Sequence, residues 1–411
     1  MLRGDTTRKA AIISRAKTLF FVIFVACLAA FVSARSWGWL QGTDFPHFYC
    51  AARMVAQGHG HQLYDAAQQR QYQARYAGRV GPLYNHPPFE TALYLAVSWL
   101  PLRYAYLLWF FANIAFLAAG ANRLATAIPL RDDWHTLLAA SLTFVPVLLC
   151  LLQGQDSVLL LLLVIFAFAA LRQERGFTSG CWLGLGLFKF QLVLPLALVL
   201  LLSRGRGAFA KGFSVAALAL AGLSAAISGW QVFLDYPRFL LRYPEQPFAG
   251  IFPQAMANFR GLIHLFLGHA AAAWAIAAAS IFCTAALIKT LLVWRRVRLN
   301  VSRDPTSHAH DLFDVAFANT VLFALLVSYH LNPHDLSLLF LPILLLYTRL
   351  RQTPRWGTRP VNWITFGVLL ILFLPPLHLW ALRMGAYSAV GIPLLALFLM
   401  AGAPTVSAGK A

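Results

Sequence analysis

Long apolar runs alternate with short polar segments along most of this chain of 411 residues. Within the runs, apolar residues are continuous rather than alternating with polar ones. Only helices and closed barrels satisfy the backbone in lipid, so continuous runs predict membrane helices. The clearest runs cover residues 18–33, 134–152, 158–171, 212–228, 270–294, 315–329, 336–347, 361–375 and 390–401. We therefore predict an all-α polytopic membrane protein with about 11–13 membrane segments, each suited to roughly 30 Å of hydrocarbon.

Two apolar segments do not have the pattern of simple crossings. Residues 89–100 are too few to span the hydrocarbon, and Pro101 separates them from a longer helix over 103–127. The pair is either a hairpin or a re-entrant piece followed by a longer helix. The segment 178–202 is interrupted at Lys189. This interruption predicts two half-length helices that meet near Lys189.

A polar and aromatic insert follows the first apolar run. It covers residues 36–88, opens with D-F-P-H-F-Y at Asp44 and closes with L-Y-N-H-P-P-F. Within the insert, G-H-G at 58–60 predicts a turn, and Asp65 predicts the N-cap of a surface helix. A second long polar segment covers residues 229–260.

Composition and charge fix the class of protein and its orientation. Hydrophobic residues make up 60% of the chain and charged residues only 11%, which excludes an ordinary soluble domain. The formal net charge is +19, and the basic residues cluster in short loops between apolar runs. By the positive-inside rule, those loops and the N-terminus lie in the cytoplasm. We predict a multi-pass protein of the cell membrane, the inner membrane in a Gram-negative cell, without a nucleic-acid partner. A single integral-membrane domain is expected over 1–411, with 36–88 and 229–260 as extracytoplasmic loops.

Asp44 is the strongest candidate for chemistry. It is one of only 14 acidic residues, and it shortly follows the first apolar run beside aromatic residues and a histidine. A carboxylate at a membrane face can accept a proton from a sugar hydroxyl. The alternative is a helix N-cap for the segment that includes residues 48–55. Position alone leaves both interpretations open.

Two polar segments beside apolar runs supply candidates for substrate binding. Tyr84, Asn85 and His86 precede a Pro-Pro pair that suits a helix start, and capping or anchoring at the membrane interface is the alternative. Gln155 lies in L-L-Q-G-Q-D-S, a polar break between two apolar runs. A tight turn is the alternative for this break.

Basic residues supply candidates for anion binding. Lys189 lies among Leu and Phe residues in G-L-G-L-F-K-F-Q-L-V-L-P. An ionisable group at membrane depth is costly and indicates a functional site, here with a lipid phosphate as partner. The alternative is snorkelling of the side chain to the interface from a short helix end. Arg260, with Arg238 and Arg242, is a candidate for clamping an anion.

His330, His334 and Asp335 cluster in a short polar segment, 328–335. Two histidines and an aspartate suit a divalent metal, but a metal needs further ligands that we cannot assign. We favour hydrogen bonding to phosphate or sugar instead. A divalent metal is possible but not expected, no other cofactor is expected, and activity should survive chelation. We also expect this segment and Lys189 to converge on the Asp44 loop.

Six blocks of the chain, in order, resemble glycosyltransferase family 87 of the broad GT-C class. The blocks are G-T-D-F-P-H-F-Y-C-A-A-R-M-V-A-Q-G with H-Q-L-Y-D, L-Y-N-H-P-P-F, L-L-Q-G-Q-D-S-V, G-L-G-L-F-K-F-Q-L-V-L-P, M-A-N-F-R-G-L-I-H and S-Y-H-L-N-P-H-D-L-S. His86 stands where the family commonly has an aromatic residue, Asp156 stands where Asn is common, and F-K-F-Q replaces a Lys-Pro continuation.

The resemblance implies a glycosyltransferase whose donor is a sugar, often mannose, on a polyprenyl phosphate. It implies that Asp44 is the general base of an inverting single displacement, with an α-linked product and no covalent enzyme intermediate. The expected partners are the lipid-linked donor, a lipid or glycan acceptor and membrane lipids. Substrate-binding roles are then expected at Tyr84, Asn85, His86, Gln155, Lys189, Arg260, His330, His334 and Asp335.

Two other classes of function stay open at this level. One is a polytopic transporter or lipid flippase, although transporters usually show internal repeats and no repeat is evident here. The other is a glycan ligase or polymerase that uses a lipid-linked glycan, since such an enzyme would also need long external loops. Release of free polyprenyl phosphate from a monosaccharide-lipid would separate an enzyme from a transporter.

Overall fold

The structure, a computed structural model, describes residues 37–128, 133–203, 206–245, 252–268, 272–301, 308–353 and 360–402, with four isolated positions before residue 37. Within these ranges every regular element is a helix and no strand occurs, which confirms the all-α prediction. The first predicted span, 18–33, lies outside the described residues apart from three isolated positions.

The described helices are numbered here in chain order. They are α1 Trp37–Gln41, α2 Phe45–Ala56, α3 Ala66–Tyr72, α4 Thr91–Ser98, α5 Leu102–Ala127, α6 Trp134–Thr143, α7 Val145–Gln153, α8 Ser157–Arg172, α9 Gly176–Leu185, α10 Phe190–Ser203, α11 Arg206–Ser228, α12 Val232–Arg242, α13 Phe259–Leu267, α14 Ala272–Val301, α15 His308–Val327, α16 Phe340–Gln352, α17 Pro360–Phe373, α18 Pro375–Arg383 and α19 Gly391–Met400. Shorter helical turns lie between them, including Pro88–Glu90, Gly186–Lys189 and Pro333–Leu339.

These helices contribute to two compact units, each assembled from separate stretches of chain. The first unit comprises Met1–Thr143, Cys150–Leu162 and Ala221–Gly250. The second unit comprises Phe144–Leu149, Leu163–Leu220 and Ile251–Ala411. Helices α7, α8 and α11 contribute residues to both units. The single membrane domain over 1–411 stays a prediction.

Several described helices are long and apolar enough to cross a membrane, which confirms the class of multi-pass membrane protein. There are four such helices, Leu102–Ala127, Gly176–Ser203, Gly207–Ser228 and Ile276–Val297, or six if each of two bent helix pairs is one span. This count is lower than the roughly 11–13 segments expected from apolar runs alone. Turns divide some of those runs into shorter apolar helices, such as Ser157–Arg172.

Both irregular segments are interrupted where the sequence predicts. Helix α4 has only 8 residues, and Pro101 is the N-cap of the 26-residue helix α5. Because proline has no N–H, it suits this start and cannot continue the helix before it. Helices α9 and α10 meet through the 3₁₀ turn Gly186–Lys189, so Lys189 lies at the predicted junction. The two helices and this turn together make up the single apolar segment Gly176–Ser203 that is long enough to cross a membrane.

An aromatic core holds the first unit together around α2 and α4. Phe45 and Phe48 of α2 are fully buried, as is Tyr94 of α4. The rings of Phe48 and Tyr94 stack with centroids 4.8 Å apart, and Phe45 meets Tyr94 edge to face at 6.1 Å. Each such ring stabilises the fold by about 1.5–3 kcal/mol when it is fully buried. This core fixes α2, which begins directly after Asp44.

Glycines allow close helix packing in the second unit. A side chain at Gly180 of α9 would collide with the backbone of Phe209 in α11, and one at Gly212 of α11 would collide with the backbone of Phe177. Small residues let helix backbones approach closely in membranes, where the hydrophobic effect between helices is weak. The glycines near Lys189 are therefore explained by packing of α9 on α11.

Candidate active site

Asp44 lies at the N-terminus of α2 but does not cap it. Its side chain makes no hydrogen bond to the first turn of the helix. Instead, Oδ2 of Asp44 accepts a hydrogen bond of 2.7 Å from Nε2 of Gln155, and the backbone N–H of Asp44 donates to Oε1 of Gln153 over 3.2 Å. The N-cap alternative is therefore right about the position of Asp44 and wrong about its side chain. The carboxylate is half-buried, and its Oδ1 accepts no hydrogen bond from a described residue.

The turn that carries the two glutamines is fixed by close packing. Gly154 between them has φ of 67°, and a side chain there would meet Phe45 Cβ at 2.6 Å. From α5, Nε1 of Trp109 donates to the carbonyl of Gln155 over 3.3 Å. The tight-turn alternative is confirmed, and this turn is what brings Gln153 and Gln155 to Asp44. Substrate binding by Gln155 stays a prediction.

The segment from Pro82 to Pro87, which we name the strap, leads out of the polar insert into α4. All six of its backbone carbonyls accept a hydrogen bond from a side chain of the first unit. The donors, in strap order, are Gln73 Nε2 at 2.8 Å, Tyr243 Oη at 3.3 Å, Gln69 Nε2 at 3.2 Å, Tyr236 Oη at 3.3 Å, Tyr64 Oη at 2.7 Å and Tyr84 Oη at 2.7 Å. This arrangement holds the strap rigidly.

Four of these donors are tyrosines whose ionisation is suppressed. Burial raises the pKa of Tyr64, Tyr84, Tyr236 and Tyr243 above the ordinary value, and the negative charge of Glu90 adds to the increase for the first three. The phenols therefore stay protonated and keep donating to the strap. Tyr84 is only 1% exposed, so it does not anchor the chain at a lipid interface.

The strap places His86 against α2 and Glu90. Nδ1 of His86 lies 2.9 Å from Oε2 of Glu90, and its ring lies 4.9 Å from Phe48 and 6.0 Å from His47 between centroids. Asn85 contributes its carbonyl to the strap and therefore has a structural role as well. The predicted residues Asp44, Tyr84, Asn85, His86 and Gln155 thus belong to one unit.

Sequence reasoning did not identify Glu90, which is fully buried beside His86. It treated Asp156 only as part of a turn, yet Asp156 is also fully buried. His86, Glu90 and Asp156 have ligand atoms that all lie within 4.8 Å of one another. A signal was available, since His86 and Glu90 are four positions apart and carboxylates are rare in this chain.

Lys189 is the centre of a second polar cluster, in the second unit. The side chain is buried at 2% exposure, and Nζ lies 2.8 Å from Oδ1 of Asp335, so snorkelling to the interface is excluded. Nε2 of His334 lies 3.6 Å from the same oxygen. The backbone N–H of Asn332 donates to Oδ2 of Asp335 over 2.9 Å. Both oxygens of Asp335 are engaged, which disfavours a metal at this turn.

Electrostatics tie the remaining predicted residues to this cluster. Burial raises the pKa of Asp335, but the charges of Lys189 and His334 and the hydrogen bonds outweigh it and hold that pKa below its usual range. Burial lowers the pKa of His330 to about 4. The charge of Asp335 opposes this decrease, and the charges of His334, Lys189 and Arg260 add to it. His330 is therefore neutral at physiological pH.

Arg260 lies at the exposed side of the same unit. Its Nη1 donates to the carbonyl of Tyr329 over 3.5 Å, and its guanidinium lies 4.7 Å from the centroid of that ring. A cation that lies over the face of an aromatic ring gains a favourable cation–π contact. Lys189 is paired with Asp335, whereas Arg260 makes no ion pair with a described carboxylate, and anion binding by Arg260 stays a prediction. Convergence of this cluster on Asp44 stays a prediction.

The comparisons with known proteins agree with the sequence resemblance. The model of glycosyltransferase family 87 matches residues 84–328, which is more than half of the chain. The match includes Tyr84, Asn85, His86, Gln155, Lys189 and Arg260, and it leaves Asp44, His330, His334 and Asp335 outside. Comparison with curated proteins and with solved structures gives no match.

Proposed function

The chain belongs to glycosyltransferase family 87 and is a membrane glycosyltransferase, and we propose that it transfers a hexose from a polyprenyl phosphate to an acceptor hydroxyl. The sugar proposed is mannose, and the acceptor is a lipid or glycan on the extracytoplasmic side. The orientation follows from the basic loops, which the positive-inside rule assigns to the cytoplasm. Family membership decides in favour of an enzyme over a transporter or flippase.

The observation that carries the proposal is the state of Asp44. Its carboxylate is half-buried, is oriented by Gln155 through Oδ2, and is not used to cap α2. The other oxygen, Oδ1, is therefore in a position to accept the proton of a hydroxyl. A general base must be held within hydrogen-bond reach of that proton, and a fixed amide donor achieves this orientation.

The proposed reaction is a single displacement at the anomeric carbon. The acceptor hydroxyl gives its proton to Asp44 while its oxygen forms a bond to that carbon. The bond between the anomeric carbon and the phosphate oxygen breaks, and the polyprenyl phosphate leaves with the electron pair. One displacement inverts the anomeric configuration, so no covalent enzyme intermediate is needed.

The departing lipid phosphate gains negative charge, which fixed cations stabilise in the transition state. We assign this role to Arg260, whose charge is not balanced by a described carboxylate. Lys189 is paired with Asp335, so its assigned role is to position Asp335 and His334. Neutral His330 suits hydrogen bonding to phosphate or sugar oxygens. Tyr84, Asn85 and His86 belong to the unit that contains Asp44, and we assign them to the acceptor side as residues that hold the strap in place.

The test is turnover of defined donors by the purified protein in detergent. Incubation with mannosyl polyprenyl phosphate should release free polyprenyl phosphate, and glucosyl polyprenyl phosphate is the matched control for the sugar. Preference for the glucosyl donor would overturn the choice of mannose alone. Failure with both donors, together with transfer from a polyprenyl-diphosphate oligosaccharide, would instead identify a glycan ligase or polymerase.

A further inference from the structure

A histidine and two carboxylates meet inside the first unit. Glu90 and Asp156 are both 0% exposed, and His86 is half-buried beside them. The ligand atoms of the three residues lie within 4.8 Å of one another. His86 and Glu90 come from one stretch of chain, where the strap enters the turn that starts α4, and Asp156 comes from the turn that also carries Gln153 and Gln155. Two stretches that are distant in sequence thus bring metal-binding groups to one point.

The distances fit a metal with little movement. Nδ1 of His86 and Oε2 of Glu90 are 2.9 Å apart. Two ligands at about 2.0–2.2 Å from one ion lie roughly 3.0–3.5 Å from each other, which is close to this separation. A histidine with two carboxylates and open positions is a donor set typical of divalent first-row transition ions.

The charges fit a divalent ion as well. A metal takes carboxylates as anions and imidazole as a neutral ligand, so these three donors would bring two negative charges to a bound ion. A divalent cation balances this charge and is the kind of partner with which buried carboxylates are found.

Residues around the cluster hold its side chains in place. The strap fixes His86 through hydrogen bonds to its backbone carbonyls, including that of His86 itself from Tyr64 at 2.7 Å. The hydroxyl of fully buried Tyr94 has no hydrogen-bond partner among the described residues. Glu90 is the N-cap of α4 and Tyr94 lies four positions further along, so the two side chains lie on the same face of this helix.

We propose that His86, Glu90 and Asp156 bind one divalent first-row transition ion. Asp156 directly follows Gln155, which donates to Asp44, so the ion would fix the turn over residues 153–156 against the carboxylate of Asp44. The inference goes beyond the proposed function, because it concerns metal binding and would hold for any reaction at Asp44. It also departs from the sequence prediction, which considered a metal only at the histidines of 328–335.

Metal binding is measured directly, without an assay of transfer. The full chain in detergent is stripped with chelator and titrated with Mn²⁺, and free Mn²⁺ is followed by electron paramagnetic resonance. We expect one ion per chain. Glu90→Gln and His86→Ala should each weaken binding by at least about tenfold, the loss caused even by removal of an outer-shell partner. The control is His61→Ala, which removes an exposed histidine of the same insert and should bind like wild type.

A second measurement uses only the wild-type chain, so its result does not depend on whether a variant folds. An ion that binds only the folded state stabilises that state by mass action. The Tm of the wild-type chain should therefore rise from chelator to saturating Mn²⁺ or Zn²⁺. Equal Tm values in chelator and in both metals would overturn the proposal, as would full Mn²⁺ binding by Glu90→Gln.

Discussion

Asp44 and Gln155 lie 111 positions apart in the chain, yet Nε2 of Gln155 donates to Oδ2 of Asp44 over 2.7 Å. The amide points the carboxylate away from the first turn of α2, where an aspartate at this position would otherwise form a cap. One oxygen is thereby held by Gln155, and the other is left to accept a proton. In our account, this contact orients the carboxylate that acts as the general base.

Removal of the amide should slow the reaction without weakening donor binding. In Gln155→Ala, Asp44 loses its orienting donor, and a misplaced reacting group costs roughly 10- to 100-fold in rate. We expect kcat to fall by this factor while KM for the donor stays near the wild-type value. Steady-state kinetics measure both constants. Gln57→Ala, which removes an amide that donates to Tyr76 on the exposed surface, should leave both unchanged. A rise in KM alone would assign Gln155 to donor binding instead.

Substitution of Gly154 should affect stability and activity together. Gly154→Ala puts a side chain where φ is 67° and Phe45 Cβ is 2.6 Å away. The left-handed conformation costs about 1–2 kcal/mol for other residues, and overpacking adds about 1–3 kcal/mol. The matched control is Gly58→Ala, where φ is 81° and nothing lies within 4 Å. Thermal unfolding should show a larger loss for Gly154→Ala, and equal losses would contradict the close contact with Phe45.

The buried pair of Lys189 and Asp335 should be strongly coupled. Either Lys189→Met or Asp335→Asn leaves a buried group without its partner, which costs about 3–5 kcal/mol when the remaining group is charged. The double variant should lose less stability than the two single losses combined. As a control, Asp235→Asn breaks an exposed contact of 3.9 Å with Arg238, and surface pairs contribute about 0–1 kcal/mol. Additive losses in the double-mutant cycle would exclude the ion pair.

His330 should make stability depend on pH in a defined window. Its pKa in the folded chain is lowered to about 4 from an ordinary value of 6.5. Between these values the unfolded chain binds a proton that the folded chain does not, so stability falls as pH falls from 6.5 to about 4. Above this window His330 does not contribute to the dependence of stability on pH. Tm measured against pH should therefore fall less steeply in His330→Gln than in wild type. The exposed-residue control His61→Gln should retain the wild-type slope, and identical slopes in all three proteins would refute the assignment.

The sequence predicted the features that depend on local chemistry. Pro101 marked the break before α5, Lys189 marked the junction of α9 and α10, and Asp65 marked a cap that does form, with Oδ1 accepting from Ala67 and Gln68. Continuous apolar runs predicted helices because the backbone has no alternative partner in lipid. Such signals act over a few residues and are visible in one chain.

Contacts between distant positions could not be predicted in the same way. Nothing near Lys189 in sequence indicates that Asp335, 146 positions away, neutralises it. In the sequence, Glu90 is indistinguishable from an ordinary acidic residue at a helix start. Only the fold brings Asp156 close to Glu90 and His86. The family match begins at residue 84, so it does not report on Asp44 either. These relationships depend on tertiary packing, which local patterns do not encode.

The most direct test of the account is the release of polyprenyl phosphate from mannosyl polyprenyl phosphate by Asp44→Asn. The substitution keeps the size of the side chain and removes the base, so release should fall by roughly 10²-fold or more while the protein level holds. Asp65→Asn, which changes another carboxylate of the same insert and can still cap α3, should release the lipid at the wild-type rate. Release by Asp44→Asn at a rate near that of wild type would contradict the assignment of Asp44 as the general base.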